Sequence, residues 1–231
     1  MLIILFIILF NGLLSNRVLS NKVFNLTTSN LVMVKNEINQ ESVSYAIEKI
    51  QNSNNTSSLI LYLDSPGGHV EDGLNLITEI QKNNITCIAE RAYSMAFAIL
   101  QSCNTRYILP SGKLMQHQIS FGIQESLYKI RNYVSYVTQM ESYLTKIQAK
   151  KIKMTEKLFI DKISNDWWLF GENAIFNNVA DGIVNVKCSK TLIDKNFTQT
   201  VNGKKVTYSN CPLIHKEREK EKSETNFFYF L

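Results

Sequence analysis

The chain has 231 residues, 45% of them hydrophobic and 19% charged, enough for one sizeable core or at most two small ones. Nine glycines and three prolines exclude collagen-like or Pro-rich low-complexity material, and four cysteines are too few for a small disulfide scaffold. The formal net charge of +5 is concentrated at one end, where residues 187–231 carry nine Lys/Arg against five Asp/Glu; the near-neutral remainder lacks the clustered cations that a nucleic-acid-binding core needs.

Residues 1–10, MLIILFIILF, are unbroken apolar. The run is shorter than the roughly 20 residues that cross a bilayer but suits the apolar centre of a signal peptide. Residues 1–20 therefore read as a secretory signal, extending to about residue 30; a short membrane anchor or a buried strand is the alternative. Between Asn11 and Asn36 there is no Asp or Glu, while Arg17, Lys22 and Lys35 are basic, the pattern of an organelle transit segment. Together the two features point to entry by the secretory route and to the lumen of a plastid of secondary origin. An extracellular, ER-lumenal or membrane-anchored protein is the alternative, because an Asn/Lys/Ile-rich composition also generates such stretches by chance.

From residue 58 strands and helices alternate. SLILYLD (58–64) is the continuous apolar run of a strand covered on both faces. After SPGG, Val70, Leu74, Ile77 and Ile80 recur at helical spacing, then ITCIAE (85–90) gives a second strand and SMAFAILQSC (94–103) an apolar helix. RYILP and KLMQHQI read as two further strands, and the succession implies a mainly parallel sheet. Residues 126–153 form one long amphipathic helix, with Leu127, Ile130, Val134, Val137, Met140, Leu144 and Ile147 on its stripe; about 28 residues at 1.5 Å each reach roughly 40 Å, more than a small domain needs, which suits a subunit interface. Thr155 is the N-cap of a short helix, EKLFIDKIS, and GENAIFNNVADGIVNV gives a helix and a closing strand.

Residues 187–231 read as a basic C-terminal extension: a hairpin over Phe197–Ser209 turning at Asn202-Gly203, then the solvated tail KEREKEK. Cys188 and Cys211 flank the hairpin as a disulfide or as two unpaired thiols. Cys211-x3-His215 is half a zinc spacing that no second pair completes, so no metal is expected. Cys87 and Cys103, in apolar elements, read as small core residues.

Ser94 stands between a strand and the N-terminus of an apolar helix, where exposed N–H groups can stabilise an oxyanion; it is equally placed to be an ordinary N-cap. The Gly67-Gly68 pair permits close backbone approach to a ligand, or simply a turn. His117 in a strand, Asp166 before two tryptophans and Asp64 at a strand end are each ambiguous, since spacing alone does not show that residues meet in space.

Taken in order, DSPGGHVEDGL, RAYSMAFAIL, LPSGKLMQHQ and NDWWLFGENAIFNNVADGIV resemble the Clp protease proteolytic subunit (ClpP) family over about residues 31–186. The resemblance implies an α/β chain of the ClpP/crotonase-like fold, a spiral of ββα units with a long protruding handle helix. It implies a serine endopeptidase that cuts unfolded polypeptides to short peptides, with Ser94 as nucleophile, His117 as its base and Asp166 orienting the imidazole. The N–H groups of Gly68 and Met95 would bind the oxyanion, and Gly67, Gly68, His69 and Val70 with Ile119 and Ser120 would hold the peptide as an added strand. It further implies no cofactor in the chain, heptameric rings stacked as a double ring, homomeric or with related subunits, and a separate AAA+ ATPase that uses the ATP.

Two departures bear on this reading. Ile119-Ser120-Phe121-Gly122 replaces the Pro and Gly pair that usually follow the family's His-Gln, implying a reshaped pocket and slow or selective catalysis. The family's ATPase-engaging N-terminal loop is not recognisable in residues 11–30. A catalytically weak or inactive structural subunit of a mixed ring is therefore the second reading; an acyl-CoA enzyme of the crotonase type and a Ser-Lys peptidase using Lys113 or Lys129 are more distant ones.

Overall fold

A computed structural model describes residues 22–201 and 204–214. The apolar run and signal reading at residues 1–20, the turn residues Asn202 and Gly203, His215 and the KEREKEK tail lie outside them.

The central sheet is built as the apolar runs require. Strands β2 (Leu31–Lys35), β3 (Ile60–Ser65), β4 (Thr86–Tyr93) and β5 (Thr105–Gln116) lie side by side in that order, all parallel; β6 (Trp167–Phe170) adds antiparallel to β5, and the short β7 (Gly182–Ile183) runs parallel to the first half of β5. Helices α1 (Gln40–Gln51), α2 (Val70–Lys82) and α3 (Met95–Ser102) alternate with these strands. α1 starts at a reciprocal cap, Asn39 accepting from the Ser42 N–H at 3.0 Å while Ser42 Oγ accepts from the Asn39 N–H at 3.1 Å. Beyond β5 come the long helix α4 (Leu127–Lys151), then α5 (Glu156–Ile163), whose N-cap is Thr155 as the sequence suggests, and α6 (Glu172–Phe176).

Where two strands are expected, RYILP and KLMQ form the single strand β5, but its halves are displaced in register. Thr105–Ile108 pair with Thr86–Ala89, whereas Lys113–Met115 pair with Arg91–Tyr93, so Leu109–Gly112 stand against Glu90 alone. Pro110, which has no N–H for a ladder, sits in the middle of this bulge.

The side-chain alternation of β3 divides the core in two. Leu61 and Leu63 face one cluster with Val34, Ile77, Phe97 and Ile99, under the helices; Ile60 and Tyr62 face a second with Leu26, Ile88, Leu109, Val184, Leu192 and Cys211. A strand buried on both faces needs two covers. The second is supplied by the chain ends: β1 (Val23–Leu26) pairs in parallel with β8 (Asn185–Cys188), and α7 (Lys190–Asp194) and the segment after the hairpin of β9 (Asn196–Val201) and β10 (Lys204–Ser209) lie over it.

The ends of the chain thus differ from their reading as appendages. The acid-free stretch continues into β1 and β2, so the folded body includes residues before the boundary at 31, and part of the extension after 186 belongs to the core. One of the two cysteine pairs differs too. Cys87 and Cys103, buried as expected, are joined in a disulfide across 16 residues, and Cys188 and Cys211 are joined across 23. Cys211 is therefore committed to sulfur rather than to half a metal site.

Among the described residues no helix is long and apolar enough to cross a membrane.

Candidate active site

Parallel strands deliver their carboxyl ends to one edge of a sheet, where α/β proteins place ligands. Here Gly67-Gly68 follows β3, Ser94 follows β4 and His117 follows β5. Between β4 and α3 the chain has a single residue to turn from strand to helix, and Ser94 takes it at φ +53°, ψ −120°, with no capping hydrogen bond from its side chain. A non-glycine residue at positive φ is strained and persists only where its surroundings hold it. The Ser94 N–H donates to Met115 O at 2.9 Å, and Gly67 packs so closely that a Cβ there would lie 2.7 Å from Ser94 Cβ. Ser94 is thus a strained strand-to-helix elbow and not an ordinary N-cap.

The elbow aims the hydroxyl at histidine: Ser94 Oγ and His117 Nε2 are 2.8 Å apart. His117 is partly buried where β5 ends, its N–H donating to Gln116 Oε1 at 3.1 Å. Two backbone donors lie beside the pair. Ile38 bridges the glycine loop, its N–H donating to Gly67 O and its carbonyl accepting from the His69 N–H, both at 2.8 Å; the bridge passes over the Gly68 N–H without using it. Met95 is the first residue of α3, so its N–H lies outside the helical ladder.

A cavity of about 90 Å³ opens at this point, lined by Gly68, Val70, Met95, Ile119 and Ser120 along with Ser94 and His117. Gly67 lies behind Ser94 rather than in the wall, because its neighbours are Ser94 Cβ, Tyr93 O and Met95 N. His69 is also outside the lining; its exposed ring turns to Asp72, Nδ1 to Oδ2 3.2 Å. Phe121, from the departing loop, is about half exposed and packs edge-on against Tyr133 of α4, ring centres 5.6 Å apart.

The third candidate is less engaged. β5 and β6 pair as Met115 with Trp168 and Gln116 with Trp167, a register that, continued by one step, sets Asp166 opposite His117. The ladder stops short of that step: Asp166 is exposed at φ +40° and makes no hydrogen bond to His117. Asp64, the other carboxylate considered, is buried and held by Arg91, Nε to Oδ1 2.9 Å. Lys113 and Lys129 do not line the cleft, and Lys129 pairs with Glu125 at 3.0 Å.

The sequence reading passed over the far wall of the cleft. Glu141, Leu144, Thr145 and Gln148 of α4 line it, with Ala98 and Ile163. Leu144 lies on the stripe read from the sequence; Glu141, Thr145 and Gln148 join it at i, i+3, i+4, i+7 spacing in a face that could have been read, but their polarity keeps them out of a hydrophobic period. Among the described residues no group of three His, Cys, Asp or Glu side chains gathers to hold a metal.

A parallel sheet with a one-residue elbow, a serine-histidine contact and a protruding helix defines an α/β protein of the ClpP/crotonase-like fold. The chain belongs to the Clp protease family, whose profile matches residues 16–187. Among curated relatives it is similar to the "ATP-dependent Clp protease proteolytic subunit 2" of Chlamydia muridarum, 27% identical over 182 residues covering 74% of this chain and 88% of that one. It is likewise similar to the proteins of the same name from Chlamydia trachomatis, 26% identical over 69% of this chain and 82% of theirs, and Pseudomonas aeruginosa, 27% identical over 54% and 65%.

Proposed function

We propose that this Clp-family proteolytic subunit is an active serine endopeptidase that cleaves unfolded polypeptides inside a ring-shaped chamber. The observation that carries the reading is the 2.8 Å contact between Ser94 Oγ and His117 Nε2 at a strained elbow. In the proposed reaction neutral His117 takes the Ser94 proton as Oγ attacks the scissile carbonyl, and the N–H groups of Gly68 and Met95 receive the oxyanion. His117 then protonates the leaving amine, and water, activated by the same imidazole, releases the acyl group from Ser94. Asp166, one register step from pairing with His117, would orient the ring only once its loop brings the carboxylate to the imidazole. The peptide lies as an added strand between Gly68–Val70 and Ile119–Ser120. None of these steps calls for a cofactor in the chain.

The assembly proposed is a heptameric ring, paired face to face with a second, of this chain alone or with related subunits. Exposed Leu127 and Val134 at the start of α4, flanked by exposed Tyr128 and Tyr136, support it, because the stripe expected to be buried is covered only from Val137 onward. An AAA+ ATPase partner that spends ATP to feed the chamber is part of the proposal, by analogy with the relatives' names. The two disulfides support maturation in an oxidising compartment, in keeping with entry by the secretory route and a final location in an organelle lumen.

The test is hydrolysis of an unfolded protein and of fluorogenic peptides by the assembled protein, with Ser94→Ala and His117→Ala alongside. Activity lost in both variants is expected. The second reading, a weak or inactive structural subunit, is favoured by the missing hydrogen bond between Asp166 and His117; assembled rings without any hydrolysis would establish it.

A further inference from the structure

The wall of the cleft contributed by α4 carries a charge that the proposed chemistry does not use. Val70, Met95, Ala98, Leu144 and Ile163 form the apolar part of a lining that is about half polar. Its two buried amides are occupied with each other: Gln116 Nε2 donates to Gln148 Oε1 at 2.5 Å, and Gln148 Nε2 donates to Leu144 O at 2.9 Å. Glu141 is different. Among the described residues it is the only carboxylate in the lining, no lysine or arginine joins it there, and it makes no ion pair or hydrogen bond within the chain. It is also only partly exposed. A carboxylate held half out of water without a partner, beside apolar side chains, gains from a cation brought by a ligand.

The cavity beside Ser94, about 90 Å³, is of the order of one medium-sized side chain. Lysine matches both features, since its methylene stem can lie along Leu144 and Ile163 while the ammonium reaches the acid. We propose that Glu141 is a specificity-determining residue, and that the cleft takes peptides with a lysine-like side chain, long, unbranched and cationic, at the residue whose carbonyl Ser94 attacks. The inference rests on the serine-peptidase reading and names its substrate class.

The experiment separates the two. Binding of acetylated, amidated tetrapeptides that differ only in lysine or norleucine at the residue facing the cleft is measured by calorimetry on the assembled Ser94→Ala protein, with and without Glu141→Gln. Lysine is expected to bind at least fivefold tighter than norleucine, and Glu141→Gln is expected to bring the ratio close to one. Norleucine binding as tightly as lysine, or a lysine preference that survives Glu141→Gln, overturns the proposal. Turnover of the same peptides by protein that retains Ser94 tests the peptidase reading on its own: a Glu141-dependent lysine preference in binding, without hydrolysis, upholds Glu141 and removes the peptidase.

Discussion

The two faces of the β3–β4 sheet are held by different means. The helical face is closed by α1, α2 and α3, each following directly on a strand, and its apolar residues recur at strand and helix spacing. The opposite face is closed by β1, β8, α7 and the segment at Cys211, drawn from residues as distant as 26 and 211 and clamped by the Cys188–Cys211 disulfide. Local pattern serves the first face and long-range closure the second. The site adjoins the first face, since Met95, Ala98, Leu144 and Ile163 of its lining belong to that core, so its chemistry and the cover of the second face should fail independently.

The largest expected effect is on the chemistry. Ser94→Ala should reduce peptide hydrolysis by at least a thousandfold while its thermal midpoint and ring assembly, read by calorimetry and light scattering, stay unchanged. A fall in midpoint comparable to that of a core substitution would contradict the division. Gly67→Ala should affect both site and stability, because the new Cβ meets Ser94 Cβ at 2.7 Å and φ is +98°; a loss of turnover of about a hundredfold and about 1–3 kcal/mol of stability are expected. Unaltered turnover would show that the glycine loop does not hold the elbow.

Opening the second face should do the converse. Cys188→Ala with Cys211→Ala should cost about 2–4 kcal/mol in denaturant unfolding and leave the turnover of the folded protein at low temperature within about twofold. A large loss of activity in that variant would mean that the extension reaches the site.

The smallest effect is on pH dependence. Burial pushes the Asp181 carboxyl up, but the Arg106 hydrogen bonds at 2.6 and 2.8 Å and the guanidinium charge prevail, holding it below its ordinary value of 3.8. A lowered folded-state pKa makes Asp181 stabilising above about pH 4, with that contribution lost as the pH falls through the folded value. Asp181→Asn should therefore flatten the acid limb of the stability curve below pH 4, measured by urea unfolding; an unchanged acid limb would exclude the pair as its source.

Legibility in the sequence follows the same division. Ser94 and His117 could each be placed at a strand end by pattern, but only the resemblance carried by Ser94-Met95 and His117-Gln118 joined them into one site. Asp166 could be placed only opposite His117, since its contact depends on a loop backbone at φ +40°, a conformation that residue type does not dictate. The pairing of Cys87 with Cys103 was hidden because both lie in apolar elements where a reduced cysteine packs equally well. Leu192 and Cys211 lie in short apolar runs, LI and CPLI, without strand or helix period; only the need to cover Ile60, Tyr62 and Ile88 gives them a role, and that is known only once the sheet is assembled. The polar face of α4 at Glu141 was missed because a search for hydrophobic periodicity passes over it.

The account rests on Ser94 being activated by His117. Labelling of the assembled protein with a fluorophosphonate, mapped by mass spectrometry, tests this most directly, with Ser94→Ala and His117→Ala as comparisons and a known serine peptidase as the positive control. A single adduct on Ser94, absent from Ser94→Ala and strongly reduced in His117→Ala, is the predicted result. An assembled protein that stays unlabelled while the control reacts would contradict the account and leave a structural subunit in its place.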